Sequence, residues 1–366
     1  MTIRISIGIL AHNEEACIGA TLRSLAQQSL FTDPARYSVE VVVVANGCRD
    51  RTVEQADGVL ADLCAEVEAF RKVDARVVDV TEAGLANAWN VFLHELSDPD
   101  ADHLVVMAAD ITFLDARTLQ SMVDTLVADP SVHASVDRRI KDVAASGSRS
   151  LRDRLSVAVS GLSGGAQTDA GKPAWLSGQL SCLRGPVVRR IHFPTSMPTD
   201  DGYLYRMLVT DQLTVEEDST RVVLAPHASH SFEAYTQPAK LIRHEQWLIF
   251  GDTIVGILER DLRQQMAETG QGCGDIVRTR NEQDSRWLNE LVREHVALSG
   301  RRWFVPRDVL VRRFRSWRAK PLARRPVVAP LAVAAAAVDA WCAWRVNRRL
   351  LTDAGGFRSG GWGKNP

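Results

Sequence analysis

Ile3-Arg4-Ile5-Ser6-Ile7-Gly8-Ile9-Leu10-Ala11-His12-Asn13-Glu14-Glu15 reads as a strand that ends in a polar loop and runs into a helix. Ile3, Ile5, Ile7 and Ile9 alternate with smaller or polar residues, the period a strand requires. Ile18, Leu22 and Leu25 then mark one face of an amphipathic helix over about 14–27. Asn13 is placed to cap that helix, and Glu14 and Glu15 suit the positive end of its dipole. The carboxyl end of a first strand is where open α/β sheets bind ligands.

The same unit recurs. Val39 to Ala45 is nearly all valine, as in a strand buried on both faces, and Asn46-Gly47-Cys48-Arg49-Asp50 turns the chain into a helix from about 52 to 66. A third strand is expected near 75–80, followed by Glu82-Ala83-Gly84-Leu85-Ala86-Asn87-Ala88-Trp89-Asn90 opening a helix. A fourth runs from His103 to Ala108 and ends at Asp110. Strand–helix alternation predicts a mostly parallel sheet with right-handed crossovers. Beyond residue 130 the pattern loosens. Segment 142–172 is rich in Gly, Ser and Ala and is expected to be a loop over a cleft; 194–202 is a second loop; helical periodicity resumes over 237–261, and 268–275 reads as a flexible tip.

The chain has 366 residues, 45% hydrophobic and 24% charged, enough for one large α/β domain with an appendage. We place the boundary at 250, with a helical, basic extension over 251–366. Net charge is −1, but thirteen Lys or Arg and only two acids, Asp308 and Asp339, lie between 301 and 350. That segment carries about +11 and the remainder about −12. It has no recognisable nucleic-acid motif, so an anionic lipid surface is the expected partner, with a merely solvated face as the alternative. Six cysteines without CxxC spacing, and no secretory pattern at residue 1, lead us to expect a reduced, cytoplasmic protein, with a peripheral position on the inner face of a membrane as an option. The apolar run 327–338 spans 12 residues and contains Pro330, against about 20 needed to cross a bilayer. A spanning helix is therefore not expected. Trp341, Trp344 and the flanking arginines fit a helix in the membrane interface, or one packed on the domain or in a dimer contact.

Three groups of residues carry candidate chemistry. Asp110 ends a strand, where a carboxylate suits Mg²⁺ or Mn²⁺ shared with diphosphate oxygens. Asp200-Asp201, between Pro198 and Gly202, offers a general base, although the same pair would serve as a helix cap with an acidic first turn. Lys240, Arg243 and His244 fall at i, i+3, i+4 and can face a leaving diphosphate, or simply solvent. His230 is a candidate metal ligand.

Taken in order, these pieces resemble the family 2 inverting glycosyltransferases. Ala11-His12-Asn13-Glu14-Glu15 is similar to that family's opening motif. Val43 to Thr52 is similar to its second, Gly84 to Asn90 to its third, and Ala108-Ala109-Asp110 to its Asp-x-Asp. Thr199-Asp200-Asp201 resembles the acidic pair that holds its catalytic base. The resemblance spans 3–247. It implies a GT-A, Rossmann-like α/β fold with a mostly parallel sheet flanked by helices and a C-terminal helical extension. It also implies a nucleotide-diphosphate sugar donor, a divalent metal (Mn or Mg), and a glycan, lipid-linked or other hydroxyl acceptor. Carried over by position, it gives Ala11, Asn13, Glu14, Asn46, Asp50, Gly84, Asn90, Ala109, Asp110, Gly178, Gln179, Lys240, Arg243 and His244 to the donor. Asp110 and His230 go to the metal, and Asp201, with Asp200 beside it, to catalysis.

The chain departs from the pattern in three places. Asn46 stands for a base-reading Asp, Leu85 for a Lys, and Ala108 for the first acid of Asp-x-Asp. These changes leave a second reading open, a catalytically degenerate binding protein on the same fold. A third, a sugar nucleotidyltransferase, wants a glycine-rich basic loop after strand one. The acidic His12-Asn13-Glu14-Glu15 argues against it.

Overall fold

The computed structural model describes residues 2–142, 169–233 and 237–357. Its centre is an eight-stranded mixed sheet in the order β3-β2-β1-β4-β7-β6-β8-β5. Strands β1 (Ile3–Ala11), β2 (Tyr37–Asn46), β3 (Asp74–Val80) and β4 (His103–Ala108) are parallel to one another. β7 (Leu180–Arg184) is antiparallel to both β4 and β6 (Ala134–Lys141), while β8 (Val222–Phe232) lies parallel to β6 and antiparallel to β5 (Ile111–Phe113). This is the α/β sheet that the alternation predicts, here mixed, with the C-terminal helical region that the resemblance implies. The strand order reverses between β1 and β4, so a crevice opens at their carboxyl ends.

Pleating sends alternate residues to opposite layers. Ile5, Ile7, Ile9, Val41 and Val43 pack under α1 (Ile18–Ala26), α2 (Thr52–Glu66) and α4 (Thr118–Ala128). Val42, Val44, Leu104 and Val106 face the other way, onto α3 (Leu85–Val91) and the helices that follow. Those are the single turn α5 (Gly185–Val188), α6 (Asp201–Val209), the long α7 (Pro238–Thr269), α8 (Cys273–Gln283), α9 (Trp287–Leu298), α10 (Arg307–Arg318) and α11 (Arg325–Thr352). The second core is continuous from Val42 to Phe357, and the expected boundary at 250 falls inside α7. The C-terminal helices are therefore built into one face of the central sheet.

One geometric constraint shapes the cleft. Only Ala109 and Asp110 join β4 to β5, so Ala108 and Ile111 lie at most about 11 Å apart. Four strand spacings, the separation of β4 and β5 in the sheet order, would be about 19 Å if the sheet were flat. The sheet must coil back on itself. The register break between Val136 and Arg138 and the left-handed backbone of His227 (φ 52°) mark the bends that allow it. The tips of β6 and β8 are thus carried round toward the end of β4.

Several expectations need correction. The first helix begins at Ile18, four residues late, with Cys17 as its N-cap position and no acid in its first turn. Asn13 is no cap: its backbone is left-handed (φ 56°). The tip at 268–275 is a tight junction instead, in which Gly270 ends α7 at φ 71° and α8 starts at Cys273. Most of the loop expected over 142–172 lies outside the described residues.

Candidate active site

The tips of β1 and β2 are stapled together. Asn13 Oδ1 accepts the Arg49 amide (2.8 Å), and His12 Nδ1 lies 2.6 Å from the carbonyl of Asn46. Asp50 accepts from the Glu15 amide and from both the amide and hydroxyl of Thr52, while the Thr52 hydroxyl in turn takes the Glu14 amide. Burial works to raise the Asp50 carboxyl, but these donors outweigh it and hold it below the usual carboxylate range. Gly47, at φ 60°, passes so close to Ala83 that a Cβ would overlap it. Asn46 is buried, and its Oδ1 accepts the Gly84 amide (3.0 Å), joining the end of β2 to the entry of α3. Beside this staple lies a cleft of about 460 Å³ lined by His12, Asn13, Gly47, Cys48, Arg49 and Asp79, among others. Its volume suits a nucleoside-sized ligand. Asp79 and Arg49 were not singled out in the sequence; a polar residue closing the apolar run of β3 was the available signal.

Asn90 belongs to structure. Its amide both donates to the Phe193 carbonyl and accepts the Phe193 amide (2.8 Å each), replacing a strand partner for that segment. The neighbouring Trp89 stacks on Phe193 and donates from Nε1 to Asp200 Oδ2 (2.9 Å).

Asp200 and Asp201 begin α6. Asp200 is fully enclosed, and Gly178 lies against it so closely that a Cβ would sit 3.1 Å from its oxygens. Burial, then the neighbouring Asp201, pushes the Asp200 carboxyl well above the ordinary range. The half-buried Asp201 is also pushed up, mainly by burial, against the Gly202 amide (2.8 Å), Arg139 and His244, which favour its charged form. Asp252, on α7 and still open to solvent, is raised to about 6, first by the walls around it and then by Asp201. His244 is half-buried and held below its usual value by burial, against the pull of Glu245 and Asp201. Lys240 and Arg243 are exposed on the first turns of α7; of the three basic residues picked on that helix, His244 is the one acting on Asp201. The cations the sequence reading missed are Arg139 and Lys141, at the tip of β6. In sequence they look like part of a solvated charge run, and only the coiling of the sheet brings Arg139 to Asp201 and Lys141 to His244.

The third group surrounds the end of β4. Ala11 is buried in the β1–β4 crevice, and the Ala108 amide donates to the Gln179 carbonyl (2.8 Å). Ala109 is buried and its carbonyl accepts the Thr21 hydroxyl, whereas Asp110 is half-buried in the turn into β5. Gln179 Oε1 lies 3.4 Å from His230 Nε2. His230 is fully buried and donates from Nδ1 to Asp137 Oδ2 (2.6 Å). Among the described residues no group of three His, Cys, Asp or Glu side chains gathers as a metal site. The donor chemistry still suits a hard or borderline cation. A carboxylate holding one imidazole nitrogen is the arrangement that orients a ligating histidine, and Mg²⁺ or Mn²⁺ takes one or two protein ligands with the rest from phosphate.

The solved structure of TarS residues 1–349 from S. aureus aligns over 96% of this chain and 92% of its own, with 14% identity and a TM-score of 0.46. Glucosyl-3-phosphoglycerate synthase from Mycobacterium tuberculosis, solved with Mn²⁺, UDP-glucose and phosphoglyceric acid, aligns over 65% of this chain and 74% of its own (16% identity, TM-score 0.42). The same enzyme with Mn²⁺, UDP and phosphoglyceric acid aligns over 70% and 78% (16%, 0.45). No curated protein sequence matches the chain. Residues 6–167, which contain four of the five strand-tip motifs, match the family model described as Glycosyl transferase family 2.

Proposed function

We propose that this protein is an inverting glycosyltransferase that moves a sugar from a nucleotide-diphosphate donor to an acceptor hydroxyl in the synthesis of a cell-surface glycan or glycolipid. The observation that carries this reading is the acidic pair Asp200–Asp201. It opens a helix, with both carboxyls raised by burial and Arg139 within electrostatic reach of Asp201. A carboxylate raised in this way is a stronger base than a solvated one. Asp201 takes the proton from the acceptor hydroxyl. Asp200, enclosed and held by Trp89, positions it. The freed oxygen attacks the anomeric carbon from the face opposite the departing diphosphate, which inverts the configuration. Arg139, Lys141 and the exposed Lys240 and Arg243 supply positive charge for that leaving group. The 460 Å³ cleft at the β1–β3 tips takes the nucleoside. Asp110 and His230 are the residues that would hold a divalent cation, which when bound neutralises charge on the diphosphate.

The test begins with binding. A panel of UDP-, GDP-, dTDP- and CDP-sugars, with and without Mn²⁺, is screened by thermal shift on wild type and Asp110→Ala. A ligand that binds the native state raises the melting point by mass action. One nucleotide should give a metal-dependent shift that Asp110→Ala loses. Release of nucleoside diphosphate is then measured in Asp201→Asn, which should fall about 10²–10⁴-fold while donor binding persists. Donor binding without turnover in wild type favours the degenerate reading, for which Ala108 at the first Asp-x-Asp position is the specific observation. Near-normal turnover in Asp201→Asn removes the base assignment.

A further inference from the structure

α11 has two unlike faces. Ala332, Ala335, Ala336, Asp339, Cys342, Ala343, Val346 and Leu350 are buried against the body, at the three-and-four spacing of one helix side. The opposite side is exposed yet almost as apolar. It presents Val327 (82% exposed), Val333, Val338, Trp341, Trp344 (48%) and Leu351. Leu322, Val311 and Phe314 extend the patch across the linker and α10. Most of the exposed large hydrophobic side chains of the described residues lie in this one region. A monomer surface seldom leaves so continuous an apolar area without a partner.

We infer that this face docks on an anionic phospholipid bilayer, with α11 lying along the surface. Charge decides the occupant. The segment 301–350 carries about +11, and Arg345 and Arg348 sit over the rings of Trp341 and Trp344, 5.5 and 5.7 Å from their centroids. Tryptophan with arginine at its rim is the side-chain pair that settles at the headgroup level. A second copy of the chain would bring two such positive segments together, so self-association is opposed where lipid binding is favoured. By length and composition alone α11 is apolar enough to cross a membrane. Crossing would tear Asp339, 1% exposed, from the bidentate grip of Arg313 (2.8 and 3.0 Å) and from Arg312 (2.9 Å). The helix therefore stays on the body, and its outer face alone meets the lipid. At 28 residues it is about 42 Å long, and it lays that length along the interface.

The experiment is co-sedimentation of the full chain with phosphatidylcholine vesicles, with and without phosphatidylglycerol, at low and high salt. The wild type should pellet with the anionic vesicles, less so at high salt, with a blue shift in tryptophan emission. Arg345→Gln/Arg348→Gln should weaken partitioning about 30-fold, from about 1 kcal/mol per basic residue. Trp341→Ser/Trp344→Ser should abolish the blue shift. Both pairs point outward and should keep the wild-type melting point; if the tryptophan pair fails to fold, the arginine pair still decides. Three results overturn the inference. The wild type stays in the supernatant with both vesicle types; both variant pairs pellet as the wild type does; or the tryptophan pair abolishes a concentration-dependent dimer in sedimentation velocity while no vesicle binds.

Discussion

Asp201 and Asp200 share a helix start but differ in surroundings, and each difference has a measurable sign. Asp201 must be ionised to act as base, and its carboxyl is raised, so transfer should increase with pH through a midpoint above the ordinary carboxylate range. Arg139 favours the charged form. Arg139→Gln should therefore move that midpoint further up, by up to about one pH unit, as read from a pH–rate profile. Asp200 affects stability instead. Its raised value in the folded state means that the native chain keeps a proton the unfolded chain releases. That contribution is fully present below the unfolded carboxyl range and is lost as pH rises through the folded value. Asp200→Asn should hence raise stability by on the order of 1–3 kcal/mol at about pH 8 and leave it nearly unchanged at about pH 4, by thermal melts at both. It should also slow transfer, since Asn cannot share the charge of the pair.

At the scale of elements, how closely α7 packs on the loop before α6 sets where the acids stand. Gly251 on α7 meets Thr199 so directly that a Cβ would overlap its side chain. Gly251→Ala should cost about 1–3 kcal/mol and lower kcat more than donor affinity, because the displaced segment is Thr199-Asp200-Asp201. Turnover against donor titration separates the two effects. The central elements were legible in sequence for a plain reason. β1, β2, β4 and α2 bury nearly every alternate or third residue, so hydrophobic period marks their ends: His103–Ala108 and Thr52–Glu66 are the observed limits. What escaped was set by distant partners. Asn13, Asn46 and Asn90 look like ligand-reading amides, yet each spends hydrogen bonds on backbone 36, 38 or 103 positions away. Arg139 and Lys141 escaped because their meaning depends on a bend that no local pattern encodes. The acids at 200 and 201 stand at the start of α6, the helix-start placement that their position between Pro198 and Gly202 also suggested.

At the scale of the molecule, one buried ionic network fastens the basic extension to the sheet domain. Glu245, next to His244 on α7, binds Arg312 of α10, which shares Asp339 of α11 with Arg313. Two positive side chains thus depend on one enclosed carboxylate. Asp339→Ala should destabilise by about 3–5 kcal/mol, in denaturant melts, and disturb His244 through Glu245. The coiled sheet has a consequence of a different kind, in the order in which the protein is made. β5 leaves the ribosome directly after β4, but among the described residues its strand partner is β8, with Phe113 facing His230 and Ile111 facing Phe232. During synthesis, the tips of β1, β2 and β3 can assemble early and form the cleft proposed for the nucleoside. The turn that holds Asp110 is tied at once to α1 through Thr21 and Ser24, but its strand pairing waits until some 120 further residues have emerged. A nascent chain would complete the proposed nucleoside cleft well before the sheet edge beside Asp110.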